Sequence, residues 1–261
     1  MRAGFDIWVM DSLGGNLLNL NSDVYEDHQP CWSPDGTKIA FVSTRSGNLR
    51  IYLMAANGAA PAPLMSPNGF LEVDPAWSPD GTKIAFAADR GVTSDIYVVG
   101  VNGTGPVRLT TDTAYDYGPT WSPDGSKIAF RSDRTGNGDI YVMNADGSAQ
   151  TNLTIDAARD INPAWSPNGQ QIAFASDRDG GGSFDIYVMG ADGSSPTRLT
   201  TDSADDVQPS WSPDGTKILF TSVRKANADF YTQIYVMKAD GTAQTRLTSS
   251  QLSHADAHWR P

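Results

Sequence analysis

A tryptophan returns every 44 to 48 residues along this chain: Trp32, Trp77, Trp121, Trp165, Trp211 and Trp259. The first five open the unit Trp-Ser-Pro-Asp/Asn-Gly, as in WSPDGTKIAF from Trp32 to Phe41. About 20 residues later a second unit follows, at Ile51, Ile96, Ile140, Ile186 and Ile234, of the type Ile-Tyr-Val-Met. A further copy, Ile7-Trp8-Val9-Met10, stands near the N-terminus and holds the seventh tryptophan. Such a period marks a supersecondary unit that buries its apolar face by stacking on its neighbours.

Each repeat reads as four short strands. The first ends at Trp-Ser. Pro34-Asp35-Gly36 turns the chain, because proline presets φ, aspartate suits the next position and glycine the one after it. The second strand is Lys-Ile-Ala-Phe and its continuation, and the third is Asp-Ile-Tyr-Val-Met. A turn such as Ala145-Asp146-Gly147 leads to the fourth, which ends in Arg198-Leu199-Thr200 in one repeat. Helical periodicity is absent. Short strands, glycine turns and this period predict an all-β chain of four-stranded blades packed radially.

The units WSPDGTKIAF, DIYVMNADGS and RLT resemble the repeat of TolB-like propellers, and the resemblance covers nearly the whole chain. It implies a six-bladed β-propeller that serves as a binding platform. In TolB itself the propeller follows a separate α/β domain and engages a periplasmic lipoprotein. The resemblance here is to the propeller only. It implies a periplasmic or extracellular setting, although the start of the chain shows no secretory signal.

A single propeller domain over residues 1–261 is expected. Blade 1 covers about 24–65, blade 2 about 70–110, blade 3 about 114–154, blade 4 about 158–200 and blade 5 about 204–248. The closing blade combines about 252–261 with 5–20. Its second strand, the Lys-Ile-Ala-Phe unit, is missing from the sequence, so 23 strands are expected. A gap there leaves unpaired edges, which invite self-association. A truncated start is the plainer explanation.

Thirty acids against 19 lysines and arginines leave a net charge of −11. Phosphate backbones are neutralised by Lys and Arg, so nucleic acid and anionic membrane are poor partners. No apolar run is long enough for a transmembrane helix. One cysteine, Cys31, excludes an internal disulfide and reads as a small space-filler beside Trp32. No nucleophile elbow, phosphate loop or dinucleotide fingerprint occurs, so no enzyme is expected.

Three sets of residues remain as candidates. Five residues before the tryptophans stand Asp27, Glu72, Asp116, Asp160 and Asp206, with His254 in the last copy. Thirteen after stand Arg45, Arg90, Arg134, Arg178 and Arg224, with Arg2 as the closing equivalent. A belt of paired charges bracing the blades is one reading. A channel carboxylate ring holding a hard cation such as Ca²⁺ is the other. The second set is His254, Asp256 and His258, alternating on the closing blade's first strand, with His28 beside them on blade 1. Imidazoles with carboxylates suit Zn²⁺, and the alternative is a frayed strand with solvated histidines.

The third set is aromatic and one-sided: Tyr25, Phe70, Leu71, Tyr115 and Tyr117, on blades 1 to 3 at the channel mouth. Blades 4 and 5 carry Ala158 and Ala204 at the places of Tyr25 and Phe70. Packing would repeat around the ring, so this asymmetry suggests a face for a protein or peptide. The leading expectation is therefore a non-enzymatic binding scaffold. A metal-dependent propeller enzyme of lyase or lactonase type and a bare repeat scaffold without a ligand are the alternatives.

Overall fold

The computed structural model describes residues 5–66, 69–89, 91, 93–224, 231–249 and 253–261. The chain divides into two compact units, Met1–Pro119 with Arg260–Pro261, and Thr120–Trp259.

In the first unit, β1 (Trp8–Val9) and β2 (Leu18–Asn19) form a two-stranded sheet. Blade 1 comes next as β3 (Asp27–Trp32), β4 (Lys38–Ser43), β5 (Arg50–Ala55) and β6 (Ala62–Pro63). Blade 2 contains β7 (Leu71–Trp77), β8 (Lys83–Asp89), β9 (Ser94–Gly100) and β10 (Val107–Arg108). Blade 3 starts at the end of this unit with β11 (Asp116–Trp121). It continues in the second with β12 (Lys127–Ser132), β13 (Asp139–Asn144) and β14 (Thr151–Asn152). Blade 4 is β15 (Asp160–Trp165), β16 (Gln171–Ser176), β17 (Asp185–Gly190) and β18 (Thr197–Arg198). Blade 5 is β19 (Asp206–Trp211), β20 (Lys217–Ser222), β21 (Gln233–Lys238) and β22 (Thr245–Arg246).

All five four-stranded sheets keep sequence order, as an antiparallel meander does. The expectation of six blades is corrected to five. Of the closing blade, the described residues form only the β1–β2 sheet, and Ser253–Pro261 contains no strand. Among the described residues 22 strands form, against the 23 expected. The first strands of blades 1, 2, 4 and 5 carry the same left-handed residue as Asp256 and pair across a bulge with a second strand, and among the described residues no such partner stands beside Ser253–Pro261.

The repeat explains the local structure. In blade 1 the Ser33 hydroxyl donates to Asp35 Oδ1 (2.6 Å), and the same oxygen accepts the Thr37 N–H (3.0 Å). Ser33 Oγ in turn accepts the Lys38 N–H (2.9 Å), and Gly36 sits at φ 65°. The first hairpin is thus tied by side chains as well as backbone. Second and third strands carry the core: Phe41, Phe86, Phe130, Phe174 and Phe220 are all fully buried. Blades 1 and 2 are tied where Trp77 Nε1 donates to the Cys31 carbonyl (3.2 Å), and the C-terminal segment is tied to blade 5 where Trp259 Nε1 donates to the Ser210 carbonyl (3.1 Å). Gly103 shows how close the blades come. A Cβ there would lie 2.0 Å from the Leu64 carbonyl oxygen, at a φ of 77° that already favours glycine.

Candidate functional site

The acids at the head of each first strand are buried. Asp27, Glu72, Asp116, Asp160 and Asp206 are at most 2% exposed. Their side chains meet arginines. Arg45 Nη2 lies 2.7 Å from both Asp27 and Asp23. Arg178 Nη2 lies 2.9 Å from Asp160 and 3.3 Å from Asp156. Arg224 pairs with Asp206 and stands near Asp202. Each of these guanidinium groups also covers the Phe–Tyr pair of its own blade, as Arg178 does at 5.0 Å from the Phe174 ring and 5.1 Å from the Tyr187 ring.

Glu72 differs. It takes Arg50 of β5, at 3.0 Å, and Arg50 also donates to the carbonyls of Met65 and Ser66. Arg134 lies over the Tyr141 ring at 4.5 Å and donates to Gln150 (2.6 Å). Arg2 and Arg90 lie outside the described residues. Burial pushes the carboxyls of Asp160 and Asp206 above the ordinary carboxylate range, against hydrogen bonds from Ser176 and Arg178 and from Arg224 and Ser222. These side chains brace strand ends against one another.

Two features escaped the sequence reading. The first is the second acid of the brace, nine residues before the tryptophan at Asp23, Asp156 and Asp202. The second lies three residues before each tryptophan. Gln29, Asp74, Asn162, Gln208 and Asp256 have φ between 52° and 56°, and Gly118 has 60°. The signal was available: residues that tolerate the left-handed region, mostly followed by Pro-x-Trp. These residues link blades side chain to backbone. Gln29 Oε1 accepts the Asp74 N–H (3.0 Å), and Asp74 Oδ2 accepts the Gly118 N–H (3.0 Å). In the second unit Gln208 Oε1 accepts the Asp256 N–H (3.3 Å), and Gln208 Nε2 donates to Asp256 Oδ1.

That role corrects the histidine seam. His254, Asp256 and His258 were expected to alternate on one side of a strand. The left-handed turn at Asp256 breaks the alternation and commits its carboxylate to Gln208. His258 is exposed, with Nδ1 against the Trp259 carbonyl (2.9 Å), and His254 is half-buried. In the first unit, His28 packs against Phe5 with ring centroids 4.8 Å apart. No group of three or more His, Cys, Asp or Glu side chains arranged for a metal ion occurs among the described residues. Cys31 is buried, which pushes its thiol up to about 12 and keeps it protonated.

The aromatic set lies wholly in the first unit. Tyr25 is 39% exposed, Leu71 39% and Tyr115 46%, whereas Phe70 and Tyr117 are half-buried. Tyr115 and Tyr117 stack with an interplanar angle of 4° and centroids 6.2 Å apart. The Tyr117 phenol meets Ser94 near Asp89 on blade 2, and burial there pushes it up. Leu71 pairs with that same Asp89 across the β7–β8 ladder. Leu71, Tyr115 and Tyr117 therefore converge on one loop end. On blade 1, Arg45 lies 5.6 Å from the Tyr25 ring centroid, joining the ring to the brace.

The family model of the TolB β-propeller domain matches residues 64–163, and that of the Tricorn protease N-terminal β-propeller domain matches residues 137–259. No curated protein gives a significant match. Among solved structures, TolB from Acinetobacter baumannii is 25% identical with a TM-score of 0.86, over 97% of this chain and 62% of that one. This chain thus spans less than two thirds of that relative's length. A putative TolB from Agrobacterium tumefaciens is 26% identical with a TM-score of 0.80, over 94% of this chain and 90% of its own. An oligogalacturonate lyase from Vibrio parahaemolyticus, 15% identical with a TM-score of 0.56 over 92% of this chain and 83% of its own, shares the fold alone. The chain is thus similar to TolB-like β-propellers in fold and in the repeat that the family models match.

Proposed function

We propose that this propeller is a non-enzymatic module that binds a protein or peptide through the face bearing Tyr25, Phe70, Leu71, Tyr115 and Tyr117. One observation carries the reading: Tyr115 stays 46% exposed while stacked on Tyr117, at the same loop end as exposed Leu71, in blades whose second-strand phenylalanines are all fully buried. A half-exposed, pre-ordered aromatic loses little conformational entropy on binding and offers a large apolar contact. Glu26 and Asp23 flank Tyr25, so a partner with an apolar centre and a basic rim would suit this face. A periplasmic or extracellular site of action belongs to the same proposal, from the TolB likeness. The lyase or lactonase alternative has support only from a fold shared at 15% identity.

The test is a pull-down from the source organism's lysate with the wild-type chain and with a Tyr25→Ala/Phe70→Ala/Tyr115→Ala variant of unchanged circular dichroism. Anchors of this kind cost about 2 kcal/mol or more each when truncated, so a partner bound by the wild type should be lost from the variant. Retention of the same partners at the same affinity overturns the proposal.

A further inference from the structure

Three blades carry an aspartate at the end of the second strand, twelve residues after the tryptophan: Asp89, Asp133 and Asp177. Two of the three meet an arginine of their own blade. In blade 3 Arg131 Nε donates to Asp133 Oδ1 (3.0 Å) and Nη2 to Oδ2 (3.1 Å). In blade 4 Arg159, just before the first strand, donates its backbone N–H to Asp177 Oδ1 (2.8 Å) and its Nε to Oδ2 (2.8 Å). The same guanidinium lies 4.7 Å from the Phe184 ring centroid, so it is held by a carboxylate and an aromatic face together.

Blade 2 keeps the aspartate and has neither arginine. Ala87 stands at the place of Arg131 and Leu71 at that of Arg159, and Leu71 still pairs with Asp89 across the ladder. Asp89 Oδ1 accepts the Gly91 N–H (2.9 Å), and among the described residues no arginine or lysine reaches its carboxylate. Arg50 and Arg108 are committed to Glu72 (3.0 Å) and Asp95 (2.8 Å).

The aromatic half of the arrangement is present, supplied by the next blade. Ser94 precedes Asp95 where Phe184 precedes Asp185, and it brings no ring. The Tyr117 phenol meets Ser94 instead, near Asp89, and Tyr115 stacks on Tyr117. A half-buried carboxylate, two ordered tyrosines and the exposed Leu71 thus gather at one loop end of the first unit.

We propose that this corner is a socket for one arginine side chain of the bound protein or peptide, supplying in trans the guanidinium that Arg159 supplies in blade 4. A planar guanidinium can pair with a carboxylate along its edge while its face lies on an aromatic ring, which a lysine ammonium does less well. Asp23 and Glu26 on the same face repel an acidic side chain. This socket rests on the binding face proposed for the aromatic set and narrows its partner to a segment with an arginine beside an apolar residue.

The experiment titrates the full chain with acetyl-Leu-Arg-Leu-amide and reads the Gly91 amide and the Tyr115 and Tyr117 rings by NMR. Control peptides carry citrulline, which is neutral and of the same shape, or lysine in place of the arginine. Two variants complete the set. Asp89→Asn keeps an acceptor for the Gly91 N–H and removes the charge, and Leu71→Arg installs the arginine of blade 4 at an exposed position. The arginine peptide should bind the wild type saturably and about fivefold or more tighter than the citrulline form, with lysine between, as an exposed ion pair and cation–π contact together imply. Asp89→Asn should bring the arginine peptide down to the citrulline level, and Leu71→Arg should compete it out with circular dichroism unchanged. Equal binding of the arginine and citrulline forms, no saturable binding at millimolar peptide, or undiminished binding to either variant overturns the proposal. The pull-down separates it from the face itself. A partner lost from the Tyr25→Ala/Phe70→Ala/Tyr115→Ala variant but held at full affinity by Asp89→Asn keeps the face and removes the socket. A partner that the triple variant retains removes the face on which the socket rests.

Discussion

In blade 1 the third strand carries Tyr52, 6% exposed, and in the β1–β2 sheet the equivalent strand carries Trp8, 44% exposed. The two strands share the pattern Ile-aromatic-hydrophobic-Met, and both set their isoleucine in the core. What differs is the neighbour. β5 is flanked by β4 and β6, and among the described residues β1 is flanked by β2 alone. Burial in this fold is therefore not a property of the third strand's sequence. It comes from the second strand, which supplies the phenylalanine and closes the ladder.

The strongest way to break this comparison is to truncate the two sides of it. Phe86→Ala empties a fully buried site between Tyr97 and the surrounding core and should cost about 3–5 kcal/mol, the range for large-to-small changes in packed cores. Trp8→Ala removes a side chain with no second-strand partner and should cost about 1 kcal/mol or less. Urea midpoints of the two variants decide. Similar losses would mean that β1 has a covering strand after all.

The periodic part of this contrast was legible in sequence. Trp-Ser-Pro-Asp-Gly marked the first turn, Ile-Ala-Phe and Ile-Tyr-Val-Met marked the two central strands, and their spacing marked the blades. What failed was the last strand. His254-Ala255-Asp256 reads as alternation, but Asp256 occupies the left-handed position that every repeat places three residues before its tryptophan. The charge belt was legible as equal numbers of acids and arginines. Its geometry was not, because Glu72 meets Arg50 of the preceding blade, a residue outside the spacing that defined the belt. Spacing along a chain cannot show which of two nearby guanidinium groups a carboxylate will face.

A smaller effect tests how the β1–β2 sheet is held. Asn21 bridges it to blade 1: its Oδ1 accepts the Ile7 N–H, and its Nδ2 donates to Asp27 Oδ2. In complete blades Thr110 and Thr154 accept the equivalent N–H of Ile96 and Ile140 (both 2.9 Å). Asn21→Ala leaves a buried N–H without that acceptor and should cost about 1–2 kcal/mol. Asn21→Thr restores the acceptor toward Ile7 and should recover part of it. Hydrogen exchange should show the loss concentrated at Ile7 and Leu20. A uniform loss across the blades would mean that the small sheet is not a separate element.

The smallest effect concerns acid, and it acts on the Trp-Ser-Pro-Asp-Gly turns of the blades, a unit that the β1–β2 sheet does not carry. Hydrogen bonds from Ser33, Ser122 and Ser212, with those from the residues two positions on, hold Asp35, Asp124 and Asp214 down to about 2 against an ordinary 3.8. Asp80 is lowered for the same reason, with Ser78 the first donor. A depressed folded value means that the stabilisation is complete above the unfolded value and is lost as pH falls through the folded one. These turns should therefore weaken between about pH 4 and pH 2. Asp160 and Asp206 act in the opposite sense, since burial raises them and protonation at low pH relieves the cost of their charge. Blade 4 supplies the control. Asn168 stands where the other turns have aspartate, and it accepts from the Ser166 hydroxyl (2.7 Å) and the Gln170 N–H (3.0 Å) without a charge to titrate. A chain with Asp35, Asp80, Asp124 and Asp214 all changed to Asn should keep its turns. Its melting temperature should fall less than that of the wild type between about pH 4 and pH 2, in the window set by the turn carboxylates. Parallel curves for the two proteins would show that these turns bind no fewer protons folded than unfolded, and the acid sensitivity would then belong to other depressed carboxyls such as Asp146, Asp192 and Asp240.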